Sequence, residues 1–380
     1  MKSFVNFIPT KIYFGPGQLQ VLGEIGLPGK KALIVITSGK SIRANGTLDR
    51  VQNLLKKNGV ESAVYDGIQA NPTKEQVMAG AVMVKNEKCD FVIGLGGGSP
   101  IDSAKSIAVM AVNPGDYWDY IFGGTGKGQP VPNQPLPVVA VTTTAGTGTE
   151  ADPWTVVTNG DEKIGFGYDA TFPVIAIVDP ELMVTVPPNL TAYQGFDAFF
   201  HAAECYLATI ATPISELYSL KSIELLVKSL PAAVKDGKNL AARTDVALAN
   251  TLSGMAESTS CNTSEHSLAH AIGGMFPNVT HGAALLMVSK AWFNHFALLV
   301  PERFSAMAKV VGTGCFCETL EQLRRDCGVD DLKMSAFGIK REDLPAINDN
   351  AWDTMGGLFE LDRVKLTRAE SLKILEESYR

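Results

Sequence analysis

The sequence predicts an N-terminal α/β domain built on a parallel sheet, residues 1–187, followed by an all-α domain, residues 188–380. Three observations lead there. The 380 residues exceed the size at which a single hydrophobic core usually stops growing. The first half alternates short apolar or β-branched runs with helical stretches, which is the pattern of parallel strands joined by crossover helices. Beyond Asp179-Pro180 and Val186-Pro187-Pro188-Asn189 the pattern turns helical and stays so to Arg380.

The strands are expected at residues 32–37, 62–65, 91–95 and 138–142, each a short run ending in Gly, Asn, Ser or Thr. Between the first two, Leu48, Val51, Leu54 and Leu55 recur at helical spacing and Asn58-Gly59 closes the pattern, giving a βαβ unit. The Pro- and Gly-rich stretch 123–137 reads as a long surface loop. Helices of the second domain are expected around 191–208, 213–230, 240–260, 263–273, 281–297, 302–311, 318–327, 341–355 and 367–379.

Composition narrows the function classes. Apolar residues make up 46% and charged residues 19%, as in an ordinary globular protein. A formal charge of −7 without any Lys/Arg-rich block argues against a nucleic-acid partner. No apolar run is long enough to span a membrane, and Met1-Lys2-Ser3-Phe4-Val5-Asn6 lacks the apolar core of a signal peptide, so no membrane partner and a cytoplasmic location are expected. The six cysteines show no C-x-x-C pair and read as reduced structural thiols.

Two constellations carry chemistry. The first is Gly94-Leu95-Gly96-Gly97-Gly98-Ser99-Pro100-Ile101-Asp102, at the end of an apolar strand and opening into a helix. Glycines let a ligand approach the backbone, and the helix N-terminus offers free N–H groups to a pyrophosphate. Ser99 stands where the third glycine of G-x-G-x-x-G would fall, so the Rossmann fingerprint does not apply. Thr142-Thr143-Thr144-Ala145-Gly146-Thr147-Gly148-Thr149-Glu150 also follows a strand and offers hydroxyl and N–H donors across the same crevice.

The second constellation is histidine. Asp197 and His201 lie at i and i+4, His266 and His270 repeat that spacing on a later helix, and His281-Gly282 opens another. Three imidazoles and one carboxylate from three helices can close around a divalent ion such as Fe²⁺ or Zn²⁺ with room for a substrate oxygen. His295 reads as a structural residue.

With Pro9-Thr10-Lys11-Ile12-Tyr13-Phe14-Gly15, Asn71-Pro72, the two loops and the histidine helices, the chain resembles the iron-containing, group III alcohol dehydrogenases nearly end to end. The resemblance implies the dehydroquinate synthase-like fold, with cofactor and metal in a cleft between the domains, and a homodimer. It implies Asp197, His201, His266 and His281 as the four metal ligands. His270 would lie beside the metal without ligating it, a candidate proton relay and catalytic residue. Gly97, Gly98 and Ser99 match the pyrophosphate loop, and Asp102 sits toward the nicotinamide as a second candidate for a catalytic role. Asn71, Thr143, Thr144, Thr147 and Lys163 match positions along the nucleotide.

The expected reaction is hydride transfer between a nicotinamide cofactor and a small alcohol or aldehyde, with the ion polarising the substrate oxygen. Many NAD-using members carry an Asp after the first strand of the βαβ unit, where this chain has Ser38-Gly39-Lys40. Loss of a carboxylate and gain of Lys40 favour NADP(H). Gly356-Gly357-Leu358-Phe359-Glu360 also departs from the family pattern at a pocket wall. Rival readings are a glycerol-type polyol dehydrogenase, a dehydroquinate synthase-like lyase, or a non-catalytic nucleotide- or metal-binding protein. Phe196, Phe199, Phe200, Leu268, Met275 and Phe276 are expected to make an apolar pocket suited to short alcohols rather than a sugar acid.

Overall fold

The computed structural model describes residues 3–380, so the first two residues of the N-terminal stretch read above lie outside it. Strands β1 (Lys11–Phe14), β2 (Lys31–Thr37), β3 (Glu61–Ile68), β4 (Phe91–Gly96), β5 (Val138–Thr142) and β8 (Ile175–Val178) form one sheet in the order β1-β8-β5-β4-β2-β3. Every pairing in it is parallel. Between β5 and β8 in the chain, β6 (Thr155–Asn159) and β7 (Glu162–Phe166) pair as a separate antiparallel hairpin.

The sheet is buried on both faces, and the alternation of its side chains shows why. Leu33, Val35, Val92 and Val138 belong to one apolar cluster, whereas Ala32, Ile34, Ile36, Phe91, Ile93, Val139 and Val141 belong to another on the opposite face. Helices α1 (Ser41–Ala44), α2 (Thr47–Lys57), α3 (Lys74–Glu87) and α4 (Gly98–Val112) belong to this half of the chain. Thr73 caps α3 reciprocally with Gln76, which fixes where that helix begins.

The rest is helical: α5 (Pro188–Leu207), α6 (Pro213–Lys235), α7 (Leu240–Thr259), α8 (Ser264–Met275), α9 (His281–Leu299), α10 (Pro301–Val310), α11 (Phe316–Asp326), α12 (Leu344–Met355) and α13 (Arg368–Ser378). Proline in the first turn opens α5, α6, α10 and α12, where its missing N–H costs nothing. The largest apolar cluster lies among these helices. Among the described residues no single helix is long and apolar enough to cross a membrane.

Four strands were not expected from the sequence: β1, β6, β7 and β8. β8 is four residues long and β1 is a partly exposed edge strand, too short to show a period. The β6–β7 hairpin mixes Thr, Asn, Glu and Lys with its apolar residues, and its turn, Gly160-Asp161, carries the left-handed glycine.

Candidate active site

The two glycine-bearing loops leave neighbouring strands side by side. Gly96 at the end of β4 pairs with Thr142 at the end of β5, and the Thr143 N–H donates to the Gly96 carbonyl at 2.8 Å. Helix α4 begins at Gly98 without a side-chain cap, which leaves its first N–H groups free. A Cβ on Gly98 would stand 2.6 Å from Thr147 Cγ2, so only glycine keeps the channel between the loops open. Free donors, a positive helix end and a cradle that a side chain would fill suit the pyrophosphate of a dinucleotide.

A cavity of about 550 Å³ runs from these loops to the histidine helices. Asn71, Gly98, Ser99, Asp102, Thr147 and Lys163 line it, whereas Gly97, Thr143 and Thr144 do not. Lys163, on β7, donates to Asn71 Oδ1 at 3.0 Å. Burial pulls its ammonium down to about 8 against the attraction of Asp197 and Asp102. Asn71 adopts a left-handed φ of 56°, which asparagine tolerates better than most residues. Asp102 is buried, and burial raises its carboxyl to about 6. Its Oδ1 accepts from Thr149 Oγ1 at 2.7 Å and its Oδ2 from the Val156 N–H at 3.0 Å, so it ties the second loop to the hairpin.

At the other end, α5 presents Asp197 and His201 on one face, α8 brings His266, and His281 is the first residue of α9. Asp197 Oδ1 lies 3.6, 3.8 and 3.5 Å from Nε2 of His201, His266 and His281. One ligand atom from each of the four lies within 4.8 Å of all the others. Four donors at ~2.1 Å from one tetrahedral ion would stand ~3.4 Å apart. Asp197 Oδ1 and His266 Nε2 are buried without a hydrogen-bond partner. Orphaned polar atoms of that kind are costly, and a cation among them removes the cost, so the donor set fits a divalent ion.

The electrostatics of two of the three imidazoles agree. Burial lowers His201 to about 4 and His281 well below its ordinary value, leaving neutral imidazoles with a lone pair to give. His266 is held up at about 10: burial opposes its charge, and Glu204 and Asp197 outweigh burial. Glu204, wholly buried on α5, hydrogen-bonds His266 Nδ1 and also accepts from the Thr263 N–H and Oγ1 at 2.8 and 2.9 Å. Nε2 of His266 is thereby turned toward Asp197. Sequence reading missed Glu204, although it follows Asp197 and His201 at helical spacing on the same face.

His270, one turn after His266, lines the cavity outside the four-residue cluster. Its Nδ1 lies 3.2 Å from the Lys163 carbonyl, which can only accept, so Nδ1 carries the proton and Nε2 is an acceptor. Burial and the Lys163 charge keep the ring neutral.

The apolar wall is not the one expected. Phe196, Phe199, Phe200 and Leu268 have no exposed surface and pack in the helical core, because their face of the helix turns away from the cavity. Met275 and Phe276 pack against that core as well. The wall is made instead by Trp154, Val156 and Ile164 from the hairpin region and by Trp352, Met355 and Leu358. Gly356 and Gly357 line it too, while Phe359 turns inward and stacks on Trp352 at 4.0 Å. Among the described residues Lys163 is the only Lys or Arg that lines the cavity, which does not suit a phosphorylated sugar acid. Glu257, also missed, lines the cavity at the end of α7, and burial raises its carboxyl well above the usual range.

Comparison with known proteins agrees with this geometry and corrects one expectation. The family model described as iron-containing alcohol dehydrogenase matches residues 9–180, and that of the Fe-containing alcohol dehydrogenase family, C-terminal, matches residues 191–379. The chain is 34% identical over 367 residues to a 1,3-propanediol dehydrogenase of Klebsiella pneumoniae, covering 92% of each chain. It is 32% identical over 363 residues to an NAD-dependent methanol dehydrogenase of Bacillus methanolicus, covering 91% of this chain and 93% of the other. The structure of an NADH-dependent butanol dehydrogenase A from Thermotoga maritima superposes with a TM-score of 0.88 at 28% identity, covering 100% of this chain and 99% of the other.

The expected preference for NADP(H) is overturned: the methanol and butanol dehydrogenases among these relatives are named for NAD and NADH. The physical reason lies in the turn after β2. Ser38, Gly39 and Lys40 are exposed and do not line the cavity, so Lys40 brings no charge to it. With both halves of the chain matched and a three-histidine, one-carboxylate cluster at the end of the cavity, the chain belongs to the iron-containing alcohol dehydrogenase family and is a metal-dependent enzyme that moves hydride between NAD(P)(H) and small alcohols or aldehydes.

Proposed function

We propose that Asp197, His201, His266 and His281 hold the catalytic ion and that the enzyme uses NAD(H) to interconvert short primary alcohols and aldehydes. The observation that carries this reading is the single oxygen, Asp197 Oδ1, that lies 3.5–3.8 Å from three imidazole nitrogens. When bound, Fe²⁺ or Zn²⁺ supplies Lewis acidity to the substrate oxygen. The protein's own groups do the rest. The N-terminus of α4, with Gly98 and Ser99, holds the pyrophosphate, and Asn71, Thr147 and Lys163 position the nucleotide along the cavity. Gly97, Thr143 and Thr144 shape these loops from behind, and Asp102 braces the hairpin. Trp154, Val156 and Ile164 keep water from the reacting carbon. His270 Nε2, unprotonated, takes the alcohol proton and passes it toward solvent.

Names of relatives that state NAD and NADH support the cofactor choice. A domain boundary at 187/188 is supported by the Pro187-Pro188 start of α5. A homodimer is supported by exposed Phe4, Val5 and Phe7, which precede the edge strand β1. A cytoplasmic setting is in keeping with six free cysteines.

The test is metal content and turnover in two variants. His266→Ala is expected to lose metal and activity together, whereas His270→Ala keeps metal and loses rate, by roughly ten- to a thousandfold. Full metal with normal turnover in His266→Ala sinks the ligand assignment, and an unchanged rate in His270→Ala removes the relay.

A further inference from the structure

Lys105 is wholly buried on α4 and does not itself line the cavity. Four oxygens surround its ammonium: Thr149 Oγ1 at 2.7 Å, the Asp152 carbonyl at 2.9 Å, Asp152 Oδ1 at 3.1 Å and the Trp154 carbonyl at 2.6 Å. All of them belong to one irregular segment between the second glycine-bearing loop and β6. That segment is a wall of the cavity, which Thr149, Asp152, Trp154 and Val156 all line.

The contacts continue from there. Thr149 Oγ1 donates to Asp102 Oδ1 at 2.7 Å, the Val156 N–H donates to Asp102 Oδ2 at 3.0 Å, and the Trp154 N–H donates to Asp152 Oδ1 at 2.7 Å. Asp102 and Lys105 stand at i and i+3, so one face of α4 grips the wall at two points. The first turn of the same helix, at Gly98, lies ~10 Å from Lys105 along the axis. A buried ion pair adds little to stability, because desolvation cancels much of its attraction. What an ammonium among four fixed acceptors does supply is geometry, in a segment that no strand or helix holds in place.

We propose that Lys105 is a positioning residue for hydride transfer, which ties the cavity wall at 149–156 to the helix that receives the cofactor. This rests on the dehydrogenase reading above and deepens it. One rigid helix then serves both partners of the reaction: its first turn meets the pyrophosphate, and its next two turns hold the surface against which the alcohol lies. Lys105 touches neither substrate nor metal and acts through Asp102, Thr149 and Trp154. A displacement of ~1 Å in such a wall costs on the order of a hundredfold in rate.

The experiment uses two variants. Lys105→Met/Asp152→Asn removes both charges at nearly constant volume, and Thr149→Val breaks the link to Asp102 while leaving the ion pair. Replacing both members of a buried pair is often neutral for stability, so the double variant is expected to fold. Metal content, the Kd of NAD⁺ from tryptophan quenching, and the rate constant of NADH formation from ethanol in a single turnover are compared with wild type. Incomplete folding lowers the amplitude of a single turnover and leaves its rate constant alone. Metal content and NAD⁺ affinity should stay within about twofold, while the rate constant falls roughly ten- to a hundredfold in the double variant and about three- to tenfold in Thr149→Val. An unchanged rate constant in the double variant makes the pair a structural one and ends the proposal. Should that variant not fold, an unchanged rate constant in Thr149→Val does the same. A rate that falls only as far as metal or NAD⁺ binding falls places Lys105 behind those sites and overturns the positioning role. If wild type forms no NADH from ethanol, propanol or butanol, the dehydrogenase reading itself falls and takes the positioning role with it.

Discussion

Glu204 has its lone pairs committed on both oxygens: one to His266 Nδ1, the other to the Thr263 N–H and Oγ1. All of these partners are donors. A glutamine there would accept at one oxygen and turn an N–H₂ against a donor at the other, so Glu204→Gln keeps the volume and breaks the network. Metal binding should weaken by about ten- to a hundredfold, as is usual when the partner behind a ligating histidine is lost. Competition with a chelator measures it, and an unchanged affinity would show that His266 needs no such support. The histidines and Asp197 were legible because i, i+4 spacing on two helices, with His281 opening a third, points side chains at one centre. Glu204 belongs to the same face and was equally legible. Glu257 was not, since nothing in its own helix says that the end of α7 faces the cavity.

At the level of elements, the start of α9 is pinned against α5. A Cβ on Gly282 would lie 2.1 Å from the Tyr193 carbonyl, so the two helices touch backbone to backbone beside His281. Gly282→Ala must push them apart, at a cost of about 1–3 kcal/mol. Because His281 is the preceding residue, metal affinity should drop along with Tm. A stable variant with normal metal content would mean that α9 can shift without moving the ligand. The helical half could be read closely from sequence because prolines and capping residues mark helix starts: 213 and 240 were expected, and α6 and α7 begin there. Periodicity failed for β8, where four apolar residues carry no period, and for the hairpin, where apolar Val156 and Ile164 and charged Lys163 alike line the cavity. The same limit explains the misplaced phenylalanines. Nearness in sequence to Asp197 and His201 says nothing of which side of α5 they occupy, and three rings on its far side pack into the core.

Across the whole molecule, the cavity exists only while the second glycine-bearing loop stays against the helical half, and Glu150 is where the two are joined. The Gly148 N–H donates to Asn250 Oδ1 at 2.8 Å, and Asn250 Nδ2 and Thr251 Oγ1 donate to Glu150 Oε1 at 2.8 and 2.7 Å. Oε2 is buried without a partner, and burial raises the carboxyl to about 7. In the unfolded chain it titrates near its ordinary value of ~4.3. Below that pH both states are protonated and the group contributes nothing. As pH rises from ~4.3 to about 7, the unfolded state releases the proton first, so folding stability falls; above about 7 the penalty is constant. The shift corresponds to a penalty on the order of 3–4 kcal/mol at most. Asp362, also raised to about 7, and Asp102, raised to about 6, act in the same direction. Glu150→Gln keeps an acceptor for Asn250 and Thr251 and abolishes the charge. In urea unfolding of the metal-loaded enzyme it should be more stable than wild type by ~1–3 kcal/mol at about pH 8, with the gap nearly closed only at about pH 4 and below. A variant less stable than wild type at about pH 8 would mean that the loop is held by the charge itself. A gap independent of pH would mean that Glu150 does not titrate between the two halves.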